Sequence, residues 1–520
     1  MISKRKNGLM PNSKKIVFIA TGVESLAIEF LSSYLKSKNH QVDIVFDPTS
    51  FATEAIHIPK LANFLDIKTE LIDQIIKLKP DFIGFSVFTL NYQRILAIAR
   101  LIKKKLPNIP IIFGGIHPTS VPNIVIQEKC VDMICIGEGE YALDELLNHS
   151  DSTDIKNIWF KKNNKIIKNP TRPLVKDLDT LPFPDKDAFY KIYPGFFEDY
   201  YTISSRGCPF SCTYCGNNVI NDLYQGLGPK IRRRSPKNIV DELALAKKKY
   251  HPKRITFVDD VFVQDLNWLK EFSRLYKRKV NLPYAMLTHP SFLSLPIAKT
   301  LKKSGCYFLL FGIQSASEKI RREILNRFET NDQITQAAQN CHQAGLKFSI
   351  DHIFNIPSEG VEEYKQAVKF YYSLHPSVIN AYWLQYFPKT KIIDSALKYK
   401  MIKKSDVSKI EHGLTNTSLV VGIGGKDSFD PNLTYSNIQF YFMLMPILPN
   451  WLNQKIIQKE WYLLPFKPPL ILNIFVKFLI ILVRNRAIVY FGILKSIFYF
   501  AKYSLTLKLK YRLSKKCQLK

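Results

Sequence analysis

The run Tyr201-Thr202-Ile203-Ser204-Ser205-Arg206-Gly207-Cys208-Pro209-Phe210-Ser211-Cys212-Thr213-Tyr214-Cys215-Gly216 leads a short strand-like stretch into three cysteines within eight positions. A loop this tight can offer thiolates to three irons of a four-iron cluster and leave the fourth iron open. An open iron marks a catalytic centre rather than a purely electron-carrying one. The rival ligand set is zinc, which in structural sites takes four Cys or His ligands in paired spacing. No second pair lies nearby, and His251, His289, His342, His352 or Cys306 could supply a fourth ligand only through the fold. The other five of the eight cysteines are scattered over 520 residues. This usage excludes a disulfide scaffold and points to metal ligation in a reducing compartment.

Downstream of the loop, strand-like runs alternate with helical stretches: RITFVDD (Arg254 to Asp260), YAMLTH (Tyr284 to His289), YFLLFGIQS (Tyr307 to Ser315), KFSIDHIFNIP (Lys347 to Pro357) and INAYWLQYF (Ile379 to Phe387). With YTISSR these make six β/α units, a partial (β/α)6 barrel of the TIM type, whose chemistry belongs at the carboxyl ends of its strands. Upstream, IVFIA, QVDIVF, DFIGFSVF, IPIIFGG and VDMICIG alternate with helix-like segments over Lys14 to Leu147. They predict a doubly wound, Rossmann-like parallel sheet. No G-x-G-x-x-G follows the first of these runs, which argues against a dinucleotide. The expected organisation of this α/β chain is a first domain over 12–150 and a proline-punctuated linker with a small hairpin over 151–199. The barrel follows over 200–400, and a basic, apolar helical region over 401–520.

The formal net charge is +30, and no acidic residue follows Glu460. Such a balance suits an anionic partner. The apolar run Leu470 to Val483 is shorter than the ~20 residues a spanning helix needs. The tail therefore reads either as helices lying at a membrane interface or as a helical layer packed on the barrel. The basic N-terminus lacks an apolar core and reads as no signal peptide. A cytoplasmic chain is expected, with peripheral contact at the inner face of the membrane if the first reading of the tail holds.

The spacing C-x3-C-x2-C, with Tyr214 before its last cysteine, resembles the radical S-adenosylmethionine (SAM) superfamily. ITFVDDVF, FGIQSAS, DHIFNIPSEG and YFPKT resemble that superfamily's strand-end motifs over about 200 residues. The resemblance implies a 4Fe-4S cluster on Cys208, Cys212 and Cys215, with SAM chelating the open iron. One-electron cleavage would then give a 5′-deoxyadenosyl radical that abstracts substrate hydrogen. By position, Asp259 and Asp260 would face the methionine amino group. Gln314 and Ser315 would lie near its carboxylate or ribose, and Tyr214, Ile353 and Asn355 near the adenine. Many relatives carry Glu at Gln314 and Gly at Asn355. From the residues alone, Asp259-Asp260 also reads as a helix cap with a solvated neighbour.

GVESLAIEFLSSYLK, FGGIHPT and IGEGEYALDEL are similar to the cobalamin-binding domain that precedes many radical SAM barrels. The resemblance implies a cobalamin site at Gly22, Ser86, Gly114, Gly115, His117, Gly137 and Glu138. Gly84, Gly114 and Gly115 would let the backbone approach the ring or its nucleotide tail. His117 would touch that tail or cap the segment after it. The Asp-x-His-x-x-Gly motif that gives a lower axial imidazole is missing; Thr21-Gly22-Val23-Glu24-Ser25-Leu26 stands there. The bland alternative is a Rossmann-like domain that only packs on the barrel.

The group resembled contains anaerobic Mg-protoporphyrin ester cyclase and cobalamin-dependent methyltransferases. It implies methyl transfer to an unactivated centre of a small-molecule or lipid-like substrate, with a reductant such as flavodoxin or ferredoxin. The alternatives are oxidative cyclisation or rearrangement, and a zinc-stabilised binding protein. Methylthiolation of transfer RNA would need a second cysteine triad, and the tail carries no RNA-binding module, so no nucleic acid is expected.

Overall fold

Ile16, Val17, Phe18, Ile19 and Ala20 are all buried in strand β1 (Lys15–Thr21), because a parallel sheet covered on both faces has no solvent side. In the computed structural model, which describes residues 13–49, 59–192, 198–414, 433–464 and 499–511, β1 is joined by β2 (Gln41–Asp47), β3 (Phe82–Ser86), β4 (Ile111–Gly114) and β5 (Met133–Cys135). The hairpin β6 (Ile158–Lys162) and β7 (Lys165–Lys168) completes the order β2-β1-β3-β4-β5-β6-β7, parallel through β5 and antiparallel after it. The expected linker thus gives its hairpin to the first sheet. The strand order reverses beside β1, so a crevice opens at the carboxyl ends there. Ser25 caps the following helix, Leu26–Ser37, by accepting from the Ile28 N–H at 3.4 Å, a cap worth about 1 kcal/mol.

The second sheet contains β8 (Asp199–Thr202), β11 (Arg254–Phe257), β12 (Tyr284–Thr288), β13 (Cys306–Gln314), β14 (Lys347–Phe354) and β15 (Val378–Trp383). They are parallel neighbours in chain order, the wall of an open barrel. The run YTISSR divides: β8 enters the barrel, while β9 (Ser205–Arg206) pairs antiparallel with β10 (Arg232–Arg233) above it. Ser235 caps the helix Pro236–Tyr250 by accepting from Asn238 N at 3.1 Å, with Pro236 in the first turn. One continuous hydrophobic core runs from Ile16 and Phe18 through Phe189 and Tyr200 to the barrel helices. A second core fills the opposite face of the first sheet.

Beyond the barrel, the helix Leu433–Leu444 places Phe442 against Phe354 and Tyr371. Residues 499–511 are helical and pack on the first domain, with Tyr503 and Leu507 against its second core. Phe500 meets Phe46 at 5.4 Å between centroids, and the Tyr499 hydroxyl donates to Ile192 O at 2.9 Å. The run Leu470 to Val483 lies outside the described residues. Among those described, no helix is long and apolar enough to cross a membrane.

Candidate active site

The cysteine loop leaves β9 through Gly207 at φ +93°, where an added Cβ would lie 1.9 Å from Lys230 O. Only glycine accepts that turn and that approach. The loop is stitched to the segment after β13: Thr213 N donates to Leu325 O at 3.1 Å, Thr213 Oγ1 to Ile324 O at 2.7 Å, and Asn326 Nδ2 to Ser211 O at 2.8 Å. Cys212 is buried, with Cys208 and Cys215 half-buried beside it. Burial pushes the Cys208 thiol up to about 12 and that of Cys215 to about 11, with Asp260 and the neighbouring thiols adding. Thiolates in this setting need a cation, which cluster iron supplies. Among the described residues, no three His, Cys, Asp or Glu side chains converge to hold one metal ion. Cluster ligands have a different requirement, since each thiolate meets its own iron. The donor set therefore fits a cluster.

The carboxyl ends of the barrel strands surround this loop, and the expected SAM residues divide there. Asp260 is exposed beside Cys208 and Cys215 and takes a hydrogen bond from Asn217. Asp259 is 1 % exposed and accepts from Ser204 N, Ser204 Oγ and Ser205 Oγ at 2.6–3.0 Å. It holds the β8–β9 turn and has no face left for a ligand amine, a correction to its expected role. Ser315 is likewise wholly buried, and its hydroxyl donates to Glu359 Oε1 at 2.5 Å. Gln314 is half-buried at a bulge in β13, at φ +71°. Asn355 is exposed at φ +65°, a conformation that Gly and Asn share, and its N–H donates to Tyr364 Oη at 2.9 Å. Tyr214 and Ile353 meet in one apolar cluster with Leu384 and Tyr386.

A cavity of about 930 Å³ opens between the first sheet and the cysteine loop. Ser86, Gly114, Gly115, Gly137 and Glu138 line it from one side, and Arg206, Cys215 and Asn217 from the other. Gly22 and His117 are not in its wall. His117 is wholly buried, its ring tilted against Tyr92 with centroids 4.2 Å apart and Nδ1 3.1 Å from Thr89 Oγ1; burial pushes it down to about 4. It therefore contacts the interior, not a nucleotide tail. The glycines also divide. A Cβ at Gly84 would meet the Phe18 ring at 2.6 Å, and one at Gly115 would meet Val87 O at 2.7 Å. Both are glycine for the protein's own packing. At Gly114 the nearest atom is 3.7 Å away, so this backbone is bare toward the cavity for another reason. A flat macrocycle against Gly114 fits that surface.

Glu138 lines the cavity, yet its carboxylate is committed to the barrel. It pairs with Arg206 at 2.9 Å and Arg232 at 2.8 Å and accepts from Val175 N at 2.9 Å. Burial alone would raise it; the two guanidiniums outweigh burial and hold the carboxyl below its usual range. Glu140 takes the other edge of Arg206 at 2.6 Å. Tyr224, at the end of the helix that follows the cysteines, accepts the Glu138 N–H at 2.8 Å and fills the space a Cβ at Gly137 would need. The GEGE segment is thus a joint between sheet and barrel. Sequence reasoning missed Arg206, Arg232 and Tyr224, and also Arg327 and Glu359; the positions of Arg206 in the run leading to Cys208 and of Glu359 inside DHIFNIPSEG offered signals.

Residues 19–147 match the B12 binding domain, and residues 202–371 match the Radical SAM superfamily. A protein of Pyrococcus horikoshii named as an uncharacterized methyltransferase is 28% identical over 304 residues, 56% of this chain and 64% of that one. The anaerobic magnesium-protoporphyrin IX monomethyl ester cyclase of Rubrivivax gelatinosus is 22% identical over 377 residues, 69% of this chain and 64% of its own. The chain therefore spans less than two thirds of either relative's length. The solved structure of OxsB, a cobalamin-dependent SAM radical enzyme with aqua-cobalamin bound, aligns with a TM-score of 0.64 at 15% identity, over 96% of this chain and 81% of its own. That likeness is one of fold. The chain is a radical SAM protein with a B12-binding domain ahead of its barrel.

Proposed function

We propose that this chain is a cobalamin-dependent radical SAM enzyme that transfers a methyl group to an unactivated centre of a small-molecule substrate. The observation that carries the reading is the shared cavity: bare Gly114 on one wall and Cys215 on the other face one space of about 930 Å³. When bound, the cluster, SAM and cobalamin supply one-electron reduction, a hydrogen-abstracting radical and a transferable methyl group. Cys208, Cys212 and Cys215 would hold the cluster. Asp260, exposed beside Cys208 and Cys215, would take the methionine amino group, and Asn355 and Ile353 would flank the adenine. Ser86, Gly114 and Gly137 would floor the corrin. The Glu138–Arg206–Arg232 joint keeps the two walls in register and restricts water at their seam. His117 faces inward, and among the described residues no histidine lines the cavity, so this chain would offer a bound cobalamin no imidazole there. A lipid-like substrate and peripheral membrane contact remain part of the proposal through the basic, apolar tail, as does a flavodoxin or ferredoxin reductant.

The test is anaerobic reconstitution with iron, sulfide and hydroxocobalamin, then SAM and dithionite. 5′-Deoxyadenosine from the wild type but not from Cys212→Ala supports the radical reading. S-Adenosylhomocysteine formed alongside it supports methyl transfer, and its absence during turnover favours cyclisation. Zinc without iron in anaerobically prepared protein would overturn the whole reading.

A further inference from the structure

Arg327 lies enclosed behind the cysteine loop, 7% exposed, and its edges face different partners. Nε donates to Glu329 Oε1 at 2.6 Å, and Nη2 donates to Gly312 O at 2.7 Å and sits 3.0 Å from His289 Nε2. Nη1 donates to Tyr214 Oη at 3.3 Å and points at Cys212 Sγ at 3.9 Å. Glu329 is itself 5% exposed; burial would raise it, but His289 and Arg327 hold its carboxyl at about 2. Phe210 of the loop stacks on His289 with centroids 3.9 Å apart, so the network is fastened to the loop it supports.

A buried ion pair gains little net stability, because desolvation offsets the attraction. Its direction is therefore the informative feature. The carboxylate lies on the Nε edge, away from the sulfur, and the Nη1 edge faces Cys212. The pair is a fixed dipole with its positive end on a cluster ligand. One-electron reduction places additional negative charge on cluster and thiolate sulfur. N–H donation and nearby positive charge stabilise that form, and such contacts to sulfur set cluster potentials. We propose that Arg327, aligned by Glu329, is a positioning residue that raises the reduction potential of the cluster on Cys208, Cys212 and Cys215. The proposal rests on the cluster reading above.

The experiment is a potentiometric titration of the reconstituted protein with dithionite, the reduced cluster being read by electron paramagnetic resonance. Arg327→Gln/Glu329→Gln removes both charges and leaves no orphaned buried ion. Its reduction equilibrium should shift at least tenfold against the reduced form, which is 59 mV for a one-electron couple. Arg327→Lys keeps the charge and should return most of the shift. Glu329→Gln keeps the cation, removes the opposing carboxylate and should move the potential in the opposite direction. Structural damage alone would not reverse sign. A fully loaded double variant with an unmoved potential overturns the proposal, and so does a Glu329→Gln protein whose potential stays or falls. A wild-type chain that binds no iron and sulfide overturns the cluster reading as well, which separates the two failures.

Discussion

Lys186→Met should be among the most destabilising single changes away from the site. Lys186 is wholly buried and pairs with Glu24 and, at 2.8 Å, with Glu29, whose side chain is also wholly buried. Its Nζ also lies 4.9 Å from the Tyr200 ring centre, so one ammonium ties the linker to both domains. Removing one partner of a buried ion pair costs about 3–5 kcal/mol. Burial, together with Glu24, already raises Glu29 well above the usual range despite the opposing pull of Lys186. A carboxyl raised in the fold contributes stability below its unfolded pKa, lost as pH climbs through the folded value. With Lys186 gone, nothing opposes the burial that raises Glu29, so the variant loses more stability than wild type as pH climbs. The gap between variant and wild type should thus widen as pH rises from 5.5 to 7.5. Urea unfolding followed by far-ultraviolet circular dichroism at both pH values reads this directly. The triple variant with Glu24→Gln and Glu29→Gln should recover most of the loss. A gap below 1 kcal/mol at pH 7.5, or one independent of pH, would refute the reasoning.

Gly207→Ala should lower iron loading while leaving the circular dichroism spectrum intact. The left-handed φ costs about 1–2 kcal/mol before the overlap with Lys230 O is counted, and a full iron complement would contradict this. Gly114→Phe should fold normally yet retain less cobalamin by absorbance, because nothing lies within 3.7 Å of the new Cβ; unchanged retention would remove Gly114 from the site. Asp259→Ala should cost about 1–3 kcal/mol in stability by orphaning buried donors, whereas Asp260→Asn should leave stability near wild type and weaken SAM binding in equilibrium dialysis. The reverse pattern would exchange their roles. Burial raises Glu359 to about 8, so its contribution is lost as pH rises from its unfolded range near 4.5 through 8; Glu359→Gln should flatten that slope in thermal melts taken from pH 5 to 9.

The six barrel strands and the placement of the cysteine loop were legible because β-branched runs and their helical spacers carry their own periodicity. What the sequence could not supply was which of two neighbours faces inward. Asp259 and Asp260 lie beyond the last residue of β11, Phe257, where strand alternation no longer assigns a side, and it is the donors of Ser204 and Ser205 that turn Asp259 inward. The glycines show the same difficulty in another form. Gly84, Gly114 and Gly115 look equivalent as letters, yet Phe18 and Val87 account for two of them. His117 fell among polar strand-end residues but points into a core built by Tyr92 and Thr89. The GEGE joint was not legible because Arg206 and Arg232 arrive from 68 and 94 residues downstream of Glu138.

The helical stretch over 499–511 carries a consequence for how the chain is made. Phe500 covers Phe46, and Tyr503 and Leu507 cover part of the first domain's second core. At ribosomal speeds of about 5–20 residues per second, roughly tens of seconds separate the synthesis of Phe46 from that of its cover. During that interval apolar surface on the first domain stands open to chaperones and to other nascent chains. The first domain therefore reaches its final packing only after the barrel has been synthesised, and any cofactor that depends on that packing is acquired late.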